Sequence, residues 1–355
     1  MQPKDRVATA FAHREPDRVP IDYAANREID ERFKAHFGLN PDDDEGLRRK
    51  IGVDFRKCWA SLMRDDLYPV EPGTRVTTWG APMKWIEHTA GGYWDYFGWP
   101  LQNATLDEVE AWPFPTADDF AFDHLTDDCR RWRDYFIILG GPGVGDIINQ
   151  TGMLRTMEQV MVDLMTDDPA GLRLIDRRHE VELEILERAI RAADGMADMV
   201  MIGEDLGSQR GPLISMDLFR KHIRPRLQRY VDLAMRYDLP VIMHSDGSVD
   251  WVYPELIDMG ISAVNAVQIE CAGMEPASLK ARFGDHLSFH GVWPTTGVLA
   301  HGTVEQAVDE VKHLMEMMKP GGGFAIAPAH QLQSNTPVEN LVAAYEAIHA
   351  FGRYD

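Results

Sequence analysis

An α/β fold built as a (β/α)8 barrel of the TIM type, with an irregular N-terminal extension and an antiparallel flap, is what the sequence predicts. Three observations carry that expectation. After about residue 135, short apolar runs alternate with amphipathic segments of helical period; nearly every run ends in a polar or ionisable residue; and the stretch before them is rich in Trp, Pro and charge. Buried strands alternating with helices of ten or more residues mean parallel βαβ units. The chain reads as one domain, in which residues 1–134 form a helical and flap region over the barrel and residues 135–355 supply the main run of βα units.

Taken in order, residues 4–13 have the pattern of a helix, "PDDDEGLRRK" reads as a solvated loop running into a helix, and "RVTTWG" with "MKWIEHTAGGYWDYFGWP" suggests antiparallel strands around residues 74–97. The tryptophans there, Trp79, Trp85, Trp94 and Trp99, either cover the barrel mouth or pack on it. The six later apolar runs are "YFIILGGPG", "MVMIGEDLG", "PVIMHSDG", "AVNAVQIEC", "LSFHGVW" and "GGFAIAPAH". Between them, "SMDLFRKHIRPRLQRYVDLAMRYD" and "TVEQAVDEVKHLMEMM" read as helices capped by Ser215 and Thr303. "LGGPGVGDI" lacks the glycine spacing of a nucleotide loop and reads as a tight strand-to-helix turn, and the methionines of "HLMEMM" read as core.

Composition narrows the function. The 355 residues carry a formal net charge of −21, so the mean field repels nucleic acid and anionic membranes. Three scattered cysteines, Cys58, Cys129 and Cys271, argue against a disulfide framework and fit a reducing cytoplasm. No apolar run approaches the length of a spanning helix, and the N-terminus lacks a signal-peptide pattern.

In a (β/α)8 barrel the catalytic groups sit where strands end. The strand ends here give Glu204 and Asp205, then His244 and Asp246, then Gln268, Glu270 and Cys271, then His290 and Trp293, then His330 and Gln331. Two imidazoles plus a carboxylate leave a coordination position open, the arrangement of a catalytic zinc. His244 and Asp246, two apart at a strand end, can reach one ion, and Glu270 or Cys271 with His330 can complete the shell. The bland alternative makes each histidine a hydrogen-bonded loop-end residue. In "GEDLGSQRGPLIS" the carboxylates Glu204 and Asp205 precede Gln209 and Arg210; they either contact substrate or bond Arg210 and backbone amides.

The motifs "RVATAFAHREPDRVPID", "GEDLGSQRGPLIS", "PVIMHSDGSV", "AGMEPASLKARFGDHLSFHG" and "GGGFAIAPAHQLQSNTPVENLVAAYEA" resemble the uroporphyrinogen decarboxylase superfamily, in its methyltransferase-like branch that works with corrinoid proteins. The arginine-rich N-terminal motif of true uroporphyrinogen decarboxylases is replaced here by "IDYAANREID". The branch implies zinc held by a His-x-Cys pair, a Glu and a final Cys. The matching positions are His244, Asp246, Glu270 and His330, so both thiolates are replaced by harder donors. The resemblance implies demethylation of an O-methyl or N-methyl small molecule, with transfer of the methyl group to a corrinoid on a partner protein. Glu204 or Asp205 would position the substrate, His290 would protonate the leaving group, and Gln209, Arg210, Gln268, Trp293 and Gln331 would line the substrate site. A homodimer is common among such barrels. Two other readings stand beside it: a metal-independent decarboxylase of a small acid, anchored by Arg210, and a non-catalytic barrel that binds a small molecule.

Overall fold

The computed structural model describes residues 1–88 and 91–354. Seven parallel strands form one curled sheet: β1 (Phe55–Cys58), β2 (Phe136–Gly140), β3 (Met199–Gly203), β4 (Val241–His244), β5 (Ala263–Asn265), β6 (Ser288–His290) and β7 (Phe324–Ala325), hydrogen-bonded in that order. Each of the six apolar runs supplies one strand, and β1 comes from the N-terminal stretch, which therefore contributes to the sheet as well as lying around it.

Helical segments cross over between successive strands, as parallel pairing requires. Their boundaries follow local chemistry. Asp168 accepts from Gly171 N at 2.9 Å and Pro169 occupies the first turn of the helix Pro169–Ala192. Thr303 and Gln306 form a capping box at the head of Val304–Met318, whose Leu314, Met315 and Met318 are buried as core. Ser215 caps the segment from Met216 to Met235, which carries a π turn at Phe219–Ile223.

Alternation along the strands divides the interior into two layers. Ile137, Leu139, Val200, Ile202, Val241, Met243, Val264 and Phe289 face the helices and join the large core. Phe55, Phe136, Ile138, Met199, Met201, Ile242, Ala263 and Ala325 face the other way and meet in a small cluster with Val7 of the N-terminal helix Pro3–Phe11. Residues from the first to the last strand touch within this one cluster, which is the curl of the sheet expressed as packing. At the last level of the inner face, β4, β5 and β6 end in the polar His244, Asn265 and His290.

The segment around Ile21 lies between the first and last strands. Ile21 bridges Ile326 of the chain just after β7, and its carbonyl accepts from Asp54 N at 2.8 Å. Asp54, fully buried, holds this junction. Its carboxylate accepts from Ile21 N at 2.9 Å, Arg6 Nη1 at 2.6 Å and Arg18 Nη1 at 2.7 Å.

A three-stranded antiparallel sheet (Thr74–Val76, Pro82–His88, Gly91–Tyr96) occupies the region read as a flap; residues 89 and 90 of that region lie outside the described residues. Its tryptophans divide in role. Trp79 is buried, Trp85 and Trp94 meet edge to face at 5.7 Å, and Trp99 is exposed at the rim of the cleft described below. Among the described residues no helix is long and apolar enough to cross a membrane.

Removing the Asp54 carboxylate takes the carboxylate partner of Arg18 and one of the two of Arg6 from a buried junction, and breaking a buried ion pair from one side costs about 3–5 kcal/mol. Asp54→Ala is therefore expected to lower the unfolding free energy measured in urea by that amount, with little change in the slope. A shift below about 1 kcal/mol would show that the junction does not depend on this carboxylate.

Candidate functional site

A cleft of about 780 Å³ opens at the C-terminal ends of the strands. Its chemical wall holds Asp146, Asp205, His244, Asp246 and His330; its apolar wall holds Tyr96, Trp99, Met153 and Met157, with Asp95 at the edge of the antiparallel sheet. Among the described residues lining it, none is Lys or Arg.

The local folding that places these groups is specific. At Gly203, a Cβ would lie 1.9 Å from the carbonyl oxygen of Pro142, so only glycine lets the loop after β2 cross the end of β3. That loop delivers Asp146 to the cleft. Gly247 (φ +87) similarly lets the chain after β4 press on Gly207, where a Cβ would meet the carbonyl oxygen at 2.4 Å.

Asp205, His244 and Asp246 each offer a ligand atom, all within 4.8 Å of one another. His244 Nε2 stands 3.9 Å from Asp205 Oδ1 and 4.0 Å from Asp246 Oδ2. His330 Nε2, on a half-exposed side chain, is 3.9 Å from Asp246 Oδ2. Asp205 is oriented from both sides, accepting from Asn149 Nδ2 at 2.8 Å and from Asp246 N at 2.9 Å. Asp246 Oδ1 is buried without a hydrogen-bond partner. Burial pushes the Asp246 carboxyl upward; His244 opposes the shift and Asp205 adds to it.

Residues 143–351 match the uroporphyrinogen decarboxylase (URO-D) family. The chain belongs to that family. No curated protein matches the sequence. Among solved structures, a methyltransferase from Methanosarcina mazei superposes over 99% of this chain and 99% of its own, with a TM-score of 0.64 at 18% identity, a likeness of fold.

In this URO-D family member several residues read from the sequence stand elsewhere than expected. Glu204 is fully buried, and its carboxylate accepts from Ile147 N at 2.7 Å and Ile148 N at 3.1 Å, serving the amides that open the helix Ile148–Arg155. Burial and the nearby Asp146 keep its pKa well above the ordinary carboxylate range. It is structural and does not line the cleft. His290 is also buried; Nε2 lies 3.2 Å from Asp22 Oδ2 and Nδ1 lies 2.7 Å from Asn265 Nδ2, so it is placed beneath the cleft and away from any leaving group. Trp293 packs in the core against Tyr345.

Glu270 is exposed and bonds Thr296 Oγ1 at 3.3 Å, and Cys271 is buried with Sγ 3.9 Å from Gln268 Oε1; neither joins the ligand group. Gln268 instead accepts from Gly247 N at 2.7 Å and braces the turn after His244. The reason lies in the backbone: β5 stops at Asn265 because Ala266 adopts φ +64, a left-handed conformation that ends the strand before the apolar run ends. Gln209 and Arg210 are exposed outside the cleft lining, and Gln331 lines a separate groove beside the antiparallel sheet.

Two positions at the candidate site escape the sequence reading. Asn265 is the true strand end, and its position within an apolar run hides it. Asp146 lies in "LGGPGVGDI", a turn whose glycines draw attention from its acid. Its carboxylate accepts from Asn149 N at 2.9 Å while Arg178 donates to its carbonyl. Burial raises its pKa to about 7, with Arg178 opposing and Asp205 reinforcing the shift.

A raised carboxyl pKa means that the folded state holds a proton the unfolded chain has released. The stabilisation is full below about pH 4 and is lost as pH rises to about 7, at about 1.4 kcal/mol per unit. In the metal-free protein, the parent is therefore expected to lose stability relative to Asp146→Asn as pH rises from 4 to 7, read as the difference between their urea midpoints. Parallel profiles for the two proteins would assign the proton elsewhere.

Proposed function

We propose that this protein is a metal-dependent methyltransferase that takes a methyl group from an O-methyl or N-methyl small molecule and passes it to a corrinoid carried by a partner protein. One observation carries the reading: the cleft gathers four carboxylates and two imidazoles with no lining cation, beside a wall of Tyr96, Trp99, Met153 and Met157. Like charges so gathered raise one another's cost, and a bound divalent cation relieves it.

The residues fit such an ion. Asp205, His244 and Asp246 would hold it, His330 stands within reach of Asp246, and the buried Asp246 Oδ1 has a free lone pair. Three protein ligands leave positions open for substrate, and nitrogen and oxygen donors suit zinc as well as iron or manganese. When bound, the ion would act as a Lewis acid on the donor heteroatom. Tyr96 and Trp99 would stack on the donor and exclude water from its methyl group. Asp146, whose carboxyl burial raises to about 7 in the metal-free protein, stands on the cleft wall as the candidate acid for the leaving group, the role assigned from sequence to His290. Asp205 retains a positioning role through its bond from Asn149. The same reading takes the curled sheet as a (β/α)8 barrel closed by the segment around Ile21. A decarboxylase of small acids draws less support, since Arg210 is exposed and the lining holds no cation to anchor a substrate carboxylate.

Elemental analysis of protein purified without added metal is expected to find about one equivalent of zinc, lost in His244→Ala and Asp246→Ala. Methyl transfer from O-methyl and N-methyl donors to Co(I) cobalamin should fall by about 100-fold or more in both variants. No bound metal, and none taken up on titration, would overturn the reading.

A further inference from the structure

We propose that Asn265, His290 and Asp22, with the Lys57 ammonium beside the carboxylate, form a hydrogen-bonded chain of fixed polarity that presents the bare Nε2 of His244 to the cleft, making Asn265 and His290 positioning residues for that imidazole. The inference rests on the metal reading of the Asp205, His244 and Asp246 group.

Backbone register creates the chain. His244 of β4 pairs with Asn265 of β5, and Asn265 pairs with His290 of β6, so three polar side chains occupy one level of the inner face. The polarity is set from the far end. The buried Asp22 accepts from Tyr23 N at 2.8 Å, and its Oδ2 lies 3.9 Å from Lys57 Nζ. A carboxylate in that company accepts, so His290 Nε2, 3.2 Å away, carries a proton and donates. The neutral imidazole then has its lone pair at Nδ1, which faces Asn265 Nδ2 at 2.7 Å. The same amide nitrogen lies 3.5 Å from the His290 carbonyl oxygen, a second acceptor.

With its NH2 group committed there, Asn265 has only its oxygen left for His244, and Oδ1 lies 2.6 Å from His244 Nδ1. His244 therefore carries its proton on Nδ1, and Nε2 faces Asp205 and Asp246 as a lone pair. Turning the amide over would set its oxygen against the lone pair of His290 Nδ1. Phe55, edge to face with His290 at 5.1 Å, holds the middle ring in place. Metal-binding histidines generally donate their second nitrogen to a fixed acceptor, which sets the tautomer and raises affinity. Here the acceptor is an amide whose own orientation is dictated by a buried His–Asp pair.

Imidazole 15N NMR of the metal-free, full-length protein tests the chain directly, with His244 signals assigned from their loss in His244→Ala. The expected result is a protonated Nδ1 and bare Nε2 for His244, and the opposite tautomer for His290. A His244 protonated on Nε2 would overturn the proposal, and this measurement leaves Asn265, His290, Asp22 and Lys57 unaltered. Zn(II) titration supplies the second arm. Asn265→Leu should weaken binding by about 10- to 100-fold, while Asn265→Asp, which keeps an acceptor for His244 Nδ1, should recover most of the loss. Unchanged affinity in Asn265→Leu would overturn the positioning role. If the parent takes up no zinc while both tautomers are as expected, the metal reading falls and the polarity of the chain stands.

Discussion

The parallel register of β4, β5 and β6 is the constraint on which the site depends. It pairs His244 with Asn265 and Asn265 with His290, so their side chains leave the inner face at one height. Because side chains alternate along a strand, a slip of one residue would send all three into the apolar layer under the helices. The register is held by what lies below: Ile242 and Ala263 pack inward with Phe136, Met199 and Ala325, while Val241, Met243, Val264 and Phe289 pack outward. Apolar packing on two faces thus pays for a polar layer at the strand ends.

Above that layer the electrostatics reverse. Below the rim, carboxylates are matched: Asp54 by Arg6 and Arg18, and Asp22 by Lys57, which with the hydrogen bond from His290 outweighs burial and brings Asp22 down to about 2. At the rim they are not. Asp146, Glu204 and Asp246 are all raised, chiefly by burial and then in part by neighbouring acids. Glu204 offsets its burial with two backbone amides at a helix start, whereas Asp246 leaves one buried oxygen without a partner. Matched charge builds the framework, and unmatched charge marks the place where a ligand would be bound.

Much of the fold was legible because it rests on local chemistry. Apolar runs bounded by glycine and polar residues became strands, Thr303 and Ser215 became caps, and the methionines of "HLMEMM" went into the core. His244, Asp246 and Asp205 were legible because a strand end in such a fold points at the site. The errors share one cause. A run of apolar letters marks burial without marking where the backbone leaves the sheet, so the early stop at Ala266 moved the strand end from Gln268 to Asn265. Likewise, Glu204 and Asp205 are adjacent in sequence yet face opposite surroundings, one toward helix amides and the other toward the cleft.

By itself the sequence determined the alternation of strand and helix, the acidic balance and the set of strands whose ends carry chemistry, since hydrophobic period, capping residues and charge act over a few neighbouring positions. Tertiary structure alone decided which acids share the cleft, which are consumed as caps, and which imidazole is exposed to a ligand. Those outcomes depend on register between strands and on close approaches such as that at Gly203, which bring together residues more than fifty positions apart, as when Asn149 reaches Asp205. A residue's chemistry is written in its own letter, but its partner is set by packing.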